Sequence, residues 1–230
     1  MRALIRDAMG KIDEAKADRE QGLAIQPVDD KGWVARGISL LRGNPQQAAR
    51  EFEQGIQQYP NSKSLLQNLV HVNGDRLNRP DAALKYADQL VALNPNDSSA
   101  LASRAVIHAR KGNVEAALRD GARATAGQPS ALTSLQLACV YSLVSSTKPE
   151  EAGKAIRHLQ RALASDPKLG RRAATDSDLA ALQTNSEFKS ILAAAAKLTD
   201  AAPSSVSPTA KPGGPTPAPV AHDDASKHSS

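Results

Sequence analysis

Across 230 residues the chain carries 29 Lys and Arg against 24 Asp and Glu, a formal charge of +5, with 3% aromatic residues and a single cysteine. An intramolecular disulfide is excluded, and the mild charge, the unclustered basic residues and the scarcity of stacking groups argue against a nucleic-acid binder. No apolar run approaches a membrane span, and the N-terminus, with Arg2, Arg6, Asp7 and Lys11, lacks a signal-peptide core, so the chain as written reads as cytoplasmic.

Five prolines, Pro27, Pro60, Pro95, Pro129 and Pro167, recur at intervals of 33, 35, 34 and 38 residues, and an alanine stands twelve residues before each: Ala15, Ala48, Ala83, Ala117 and Ala155. A period near 34 marks a repeat protein. Each unit is one supersecondary element that cannot bury its own apolar face, so units must stack. Five residues before each proline come Gly22, Gly55, Leu90, Ala124 and Ala162, mostly small, as close helix contact requires; seventeen before come Gly10, Gly43, Asn78, Gly112 and Glu150, a row suited to a turn.

In chain order, residues 1–27 fit the second half of a unit but leave only about nine residues for its first helix. Two readings stay open: a clipped first unit, or a chain whose upstream part is absent. In the next unit Gly43-Asn44-Pro45 separates two predicted helices, and Ala48, Phe52, Gly55 and Ile56 share one face of the second while Gln46, Arg50 and Gln57 face water. Asn78-Arg79-Pro80 and Lys111-Gly112-Asn113 make the same break in the following units. Asn73-Gly74-Asp75 puts a turn-like tripeptide where the repeat needs helix, which predicts an early helix end or a kink near Gly74 in a unit one residue long.

The full register, Trp33-x2-Arg36-Gly37-x2-Leu40, then Ala48-x3-Phe52, then Pro60, resembles the tetratricopeptide repeat, whose pattern is W-x2-L-G-x2-Y, A-x3-F, P. Arg36 stands for the expected Leu and Leu40 for the Tyr. The same slots read Leu66, Leu69, Val70, Asn73, Ala83, Ala87 and Pro95, then Leu101, Arg104, Ala105, His108, Ala117, Gly121 and Pro129. A fourth set reads Leu137, Ala138, Tyr141, Ala155, Leu159, Ala162 and Pro167. The resemblance spans about residues 2–167. It implies an all-α fold, a right-handed superhelix of about four full helical hairpins with a partial unit at 1–27 and capping helices that close the solenoid at 28–198.

Asp176 to Leu182 and Asn185 to Leu192 supply that cap, as two short helices with Asp or Asn starts that offer Leu179, Leu182, Phe188, Ile191 and Leu192 to the last repeat. Together with Leu137 to Tyr141 this region is similar to the C-terminal end of repeat-bearing, planctomycete-like bacterial proteins, many of which carry a Ser/Thr kinase domain upstream. No Gly-rich phosphate loop, His-Arg-Asp or Asp-Phe-Gly element is present in this chain. Residues 199–230, rich in Pro, Ala and Ser, read as a disordered tail with one minimal PxxP spacing at Pro212 to Pro215.

No catalytic constellation, cofactor motif or metal-ligand pattern emerges. Cys139 has no His at a recognisable spacing, and His71, His108 and His158 belong to different helices. What remains is a binding surface. In tetratricopeptide proteins first helices line the concave face, which implies a groove of Lys31, Val34, Ile38 and Arg42, then Gln67, Asn68 and His71, then Ser103, Val106 and Arg110. Val34 and Ile38 stand where a carboxylate clamp needs Lys and Asn, so a chaperone-type clamp is rejected. The expected function is a non-catalytic adaptor holding a protein or peptide segment, with a bias toward acidic partners; the alternative is the regulatory end of a larger signalling enzyme such as a bacterial Ser/Thr kinase. Homotypic assembly through an exposed first helix is a third idea.

Overall fold

The computed structural model of the chain describes residues 2–200; of the tail expected at 199–230, residues 201–230 lie outside them, while Thr199 and Asp200 end a helix. Twelve α-helices follow in order among the described residues: α1 Arg2–Ala8, α2 Ile12–Ala24, α3 Asp30–Leu41, α4 Pro45–Gln58, α5 Lys63–His71 and α6 Pro80–Leu93, then α7 Ser98–Arg110, α8 Val114–Ala126, α9 Ala131–Ser145, α10 Ala152–Ser165, α11 Leu169–Thr175 and α12 Ser186–Asp200. A π turn at Val72–Arg76 and 3-10 segments at Pro149–Glu151 and Ser177–Leu182 complete them. Among the described residues no strand occurs.

Local chemistry sets these boundaries. Asp29, Ser62, Asp97 and Ser130, each one or two residues after a landmark proline, accept the first free backbone N–H groups of α3, α5, α7 and α9. Pro45 and Pro80 open α4 and α6 at the position where a missing N–H costs nothing. Gly10 and Gly112, both at φ +74°, turn the chain within their hairpins.

Hairpins α3/α4, α5/α6, α7/α8 and α9/α10 stack in sequence: α4 packs on α5, α6 on α7 and α8 on α9, while α3 meets α5 and α7 meets α9 along the inner face. All five landmark alanines are fully buried. Any larger side chain there would push helices apart. In α4, Ala48, Phe52 and Gly55 are buried as the helical face requires, with Ile56 half-buried. Gly22 departs from its row, because a Cβ there would meet nothing within 4 Å and the residue is exposed. Hairpin α1/α2 leans on the body through α2 and α3, and Ile5, Met9, Ile12, Ile25 and Val28 stay open to solvent around it.

The extra residue of the second unit is absorbed by the π turn. Leu77 N–H donates to Val72 O, five residues back, at 3.0 Å, and Asn73 is buried with its amide on Leu69 O at 2.9 Å. The predicted irregularity near Gly74 is therefore a widened turn. It swings Asp75 inward, and Asn78 at φ 49° completes the reversal before Pro80.

The solenoid's far end is closed by three pieces. α11, which sequence reasoning did not foresee, leads into the 3-10 segment, and that segment folds back on the inner helix α9 with Leu179 and Leu182 buried. Helix α12 then covers α10 and α11 through Phe188. Of the two expected capping helices, the first is thus a 3-10 segment and the second runs to Asp200.

In the last hairpin the ring of Tyr141 on α9 stacks on His158 of α10, centroids 5.3 Å apart and nearly parallel. Burial, with Arg161 and Arg157 adding repulsion, lowers the His158 pKa from its ordinary 6.5 to about 4. Folding therefore binds fewer protons than the unfolded chain in that window. The stability this neutral imidazole contributes is present above pH 6.5 and is lost as pH falls toward 4. Thermal melts of the parent should drop between pH 6.5 and 4 more steeply than those of His158→Phe, and parallel profiles would show that protonation of His158 is not linked to unfolding.

Candidate functional site

A groove of about 320 Å³ opens on the inner face between α5, α7 and α9. Helix α5 supplies Gln67 and His71, α7 supplies Ser99, Ser103, Val106 and Arg110, and α9 supplies Leu132, Gln136 and Cys139. The widened turn contributes Gly74 and Asp75. Residues Arg172, Asp176 and Asp178, from the returning C-terminal strap, close one end.

Five of the ten expected groove residues meet here: Gln67, His71, Ser103, Val106 and Arg110. Lys31, Val34 and Ile38 on α3 and Arg42 just after it lie outside the groove; Lys31, Ile38 and Arg42 are exposed, and Val34 is partly buried against the core. Asn68 turns along its own helix and donates to Ser64 O at 2.8 Å.

Arg110 is the centre of the closed end. Its guanidinium donates to both carboxylate oxygens of Asp178, at 2.8 to 3.2 Å, and to Asp75 at 2.6 Å. Asp75 in turn bonds His71 Nδ1 at 2.8 Å. Burial alone would raise the Asp75 pKa, but hydrogen bonds from His71 and Arg110 outweigh it and hold the value at about 2. The groove's most prominent cation is thereby neutralised from within the chain. Asp75, Arg172, Asp176 and Asp178 were absent from the sequence-based groove; Asp176 and Asp178 carry helix-start signals only, and nothing in the sequence links Asp178 to an arginine 68 residues earlier.

Cys139 lies at the groove floor with its side chain buried. Burial pushes its thiol pKa far up, and the neighbouring Asp176 and Asp178 add to the effect, so the group stays protonated. Its sulfur and one oxygen each from Asp176 and Asp178 lie within 4.8 Å of one another. A protonated thiol and a carboxylate already gripped by Arg110 make a poor cation site. The remaining open groove presents amides, hydroxyls and apolar surface, with Leu132 the large exposed apolar side chain and Gln136 donating to Ser103 at 3.3 Å.

Neither protein-family models nor curated proteins match the chain. Solved structures do. TTC0263, a thermophilic tetratricopeptide protein of Thermus thermophilus, matches with TM-score 0.55 and 16% identity, over 85% of this chain and 95% of that one. A tetratricopeptide protein from Parabacteroides merdae gives 0.56 and 15%, over 86% and 76%, and the type IV pilus biogenesis factor PilW gives 0.54 and 21%, over 83% and 94%. The chain has the tetratricopeptide-repeat fold.

Set against the tetratricopeptide pattern, the oddest residues form pairs. Arg36 and Arg104 occupy the slot of the first-helix Leu, and each reaches an acid three residues after the landmark alanine of its own hairpin: Arg36 to Glu51 at 2.8 Å, Arg104 to Asp120 at 2.6 Å. In the first hairpin Arg2 reaches Asp18, also three after its alanine, at 2.6 Å. Where the slot keeps its Leu, the partner position is uncharged: Leu69 goes with Tyr86 and Leu137 with His158. The charged slot of one tetratricopeptide helix is thus matched by a buried carboxylate on the other.

Proposed function

We propose that this chain is a non-catalytic interaction scaffold that receives a segment of a partner protein between α5, α7 and α9. The observation that carries this reading is the open stretch of groove lined by Gln67, Ser103, Val106, Leu132 and Gln136, apolar at its base and edged by amide and hydroxyl groups. Such a surface suits an amphipathic segment, with one apolar anchor on Leu132 and side-chain hydrogen bonds to either side. Because Arg110 is saturated by Asp75 and Asp178, and Arg172 shares that end with Asp176, the closed end carries no excess positive charge, and the favoured occupant is uncharged there. The second reading, a regulatory end of a larger signalling enzyme, uses the same groove; its support is the sequence similarity of the α9 segment and C-terminal strap that bound it. Among the described residues no helix is long and apolar enough to cross a membrane.

A photo-crosslinking amino acid placed at Leu132 tests the reading. It should join one discrete partner in extract, and a companion Ser103→Arg change should cut the yield by about tenfold without altering helicity. Equal labelling from a probe at Gln57, on the outer face of α4, would remove the groove from the explanation.

A further inference from the structure

A row of cations runs along the outer face, its members one repeat apart. Two residues after the landmark alanines of four consecutive hairpins stand Arg50, Lys85, Arg119 and Arg157, on α4, α6, α8 and α10. One helical turn further on, α8 and α10 add Arg123 and Arg161. At about 100° per residue these positions lie about 200° and 240° around the helix from the alanine, so a buried alanine forces them outward. Arg50, Arg119, Arg123, Arg157 and Arg161 lie on the solvent side of helices whose landmark alanines are fully buried. The register of the fold makes the row.

Three first-helix arginines of the solenoid are paired, whereas among the described residues Arg42, Arg76, Arg79, Arg171 and Arg172, off the row, hold no carboxylate. Arg36, Arg104 and Arg110 each hold a carboxylate; of the acids flanking the row, Asp81, Glu115 and Asp88 pair with Lys111, Lys148 and Arg104, while Glu53 accepts the Tyr86 phenol at 3.4 Å. Among the described residues, Arg50, Arg119, Arg157 and Arg161 have no carboxylate within ion-pair distance, Lys85 rests on the ring of Tyr86, and Arg123 reaches Asp120 only at 3.9 Å. The field of Arg157 and Arg161 is felt inside the protein, since both oppose protonation of His158. The second helices of four consecutive hairpins therefore present cations in register, most of them without an ion-pair partner of their own.

We propose that this outer row binds an extended acidic polypeptide segment, running across α4, α6, α8 and α10. Guanidinium groups pair with carboxylates through two parallel hydrogen bonds, and five of the six cations are arginines. The row is narrow. Exposed carboxylates of Asp81, Asp88 and Glu115 stand beside it, and a nucleic-acid duplex or a lipid surface broad enough to cover the row would press its own negative charge onto them. A single extended chain passes between them. The row shares no residue with the inner groove, so the two surfaces succeed or fail separately.

The test uses the full chain and a fluorescein-labelled polyglutamate oligomer followed by anisotropy. Binding is expected, weakening steadily between about 50 and 300 mM salt as surface charges are screened. The combined variant Arg50→Gln, Arg119→Gln and Arg157→Gln should bind about tenfold more weakly with an unchanged circular dichroism spectrum, whereas Lys31→Gln with Arg42→Gln, on α3 and at its C-terminal end, should bind as the parent does. No binding by the parent, or equal losses in both variants, overturns the proposal. Tighter binding to duplex DNA or to phosphatidylserine vesicles than to polyglutamate, lost in the same triple variant, overturns the choice of an acidic polypeptide as the partner.

Discussion

Arg104→Leu should destabilise the protein by about 3 to 5 kcal/mol, the range for stripping the partner from a buried charge, although leucine is what the tetratricopeptide pattern prefers at that slot. The cost arises at Asp120, whose carboxylate is fully buried and would keep only Arg123, at 3.9 Å, as a counter-charge. The chain itself contains the remedy. In the hairpin before, Leu69 stands in the slot and Tyr86 at the partner position, with the phenol reaching Glu53, five residues after Ala48, at 3.4 Å. Asp88 stands five residues after Ala83, in the register a phenol at position 120 would need. Arg104→Leu combined with Asp120→Tyr should therefore recover most of the loss, while Asp120→Tyr alone leaves Arg104 facing a ring. Chemical denaturation of the four proteins, followed by circular dichroism, gives the coupling directly. Additive effects of the two changes would mean that the pairing of slots within a hairpin has no energetic content.

The hairpin architecture was legible because its signals are local. Alanine before proline at a fixed interval, glycine or asparagine at mid-unit and proline at the next helix start each act within a few residues, and the helices begin and end accordingly. A further local signal went unused: the Asp or Ser just after each of the first four landmark prolines, which caps the next first helix. The groove was half legible. Helical periodicity places Gln67, His71, Ser103, Val106 and Arg110 on inner faces, but whether neighbouring inner faces converge depends on how far each hairpin rotates against the last, and α3 contributes nothing to the pocket formed by α5, α7 and α9. The strap was legible as a cap through Leu179 and Leu182, but not as a wall of the groove. Asp178 meets Arg110 only because α11 turns the chain back over α9, a contact across 68 residues with no periodic mark. The outer cation row was hidden for a different reason: spaced a full repeat apart, its members look scattered in a linear sequence and align only once the stacking register is known.

Gly37→Ala should be among the most damaging single changes in the solenoid, costing upwards of about 3 kcal/mol where the same exchange in an open helix gains about 1. Gly37 faces Phe52 across the α3/α4 hairpin, and an added Cβ would fall within the van der Waals surface of three ring carbons. Phe52 is fully buried in the core that also holds Trp33 and Leu65, so the ring has nowhere to retreat, and driving it out approaches the roughly 3 to 5 kcal/mol of deleting a buried phenylalanine. Trp33 adds to the constraint, since its Cβ would lie 2.8 Å from a Cβ built on Gly55, so the hairpin is pinned from both sides by glycine. Two comparisons isolate the mechanism. Gly43→Ala, where a Cβ meets nothing within 4 Å, should leave the melting temperature unchanged or slightly raised. Gly37→Ala with Phe52→Leu should regain part of the loss, because the smaller side chain frees the space the methyl group requires. Equal stability of Gly37→Ala and the parent, with Trp33 fluorescence unshifted, would mean that α3 and α4 can slide apart at little cost, and the close approach of paired helices would no longer account for glycine at this slot.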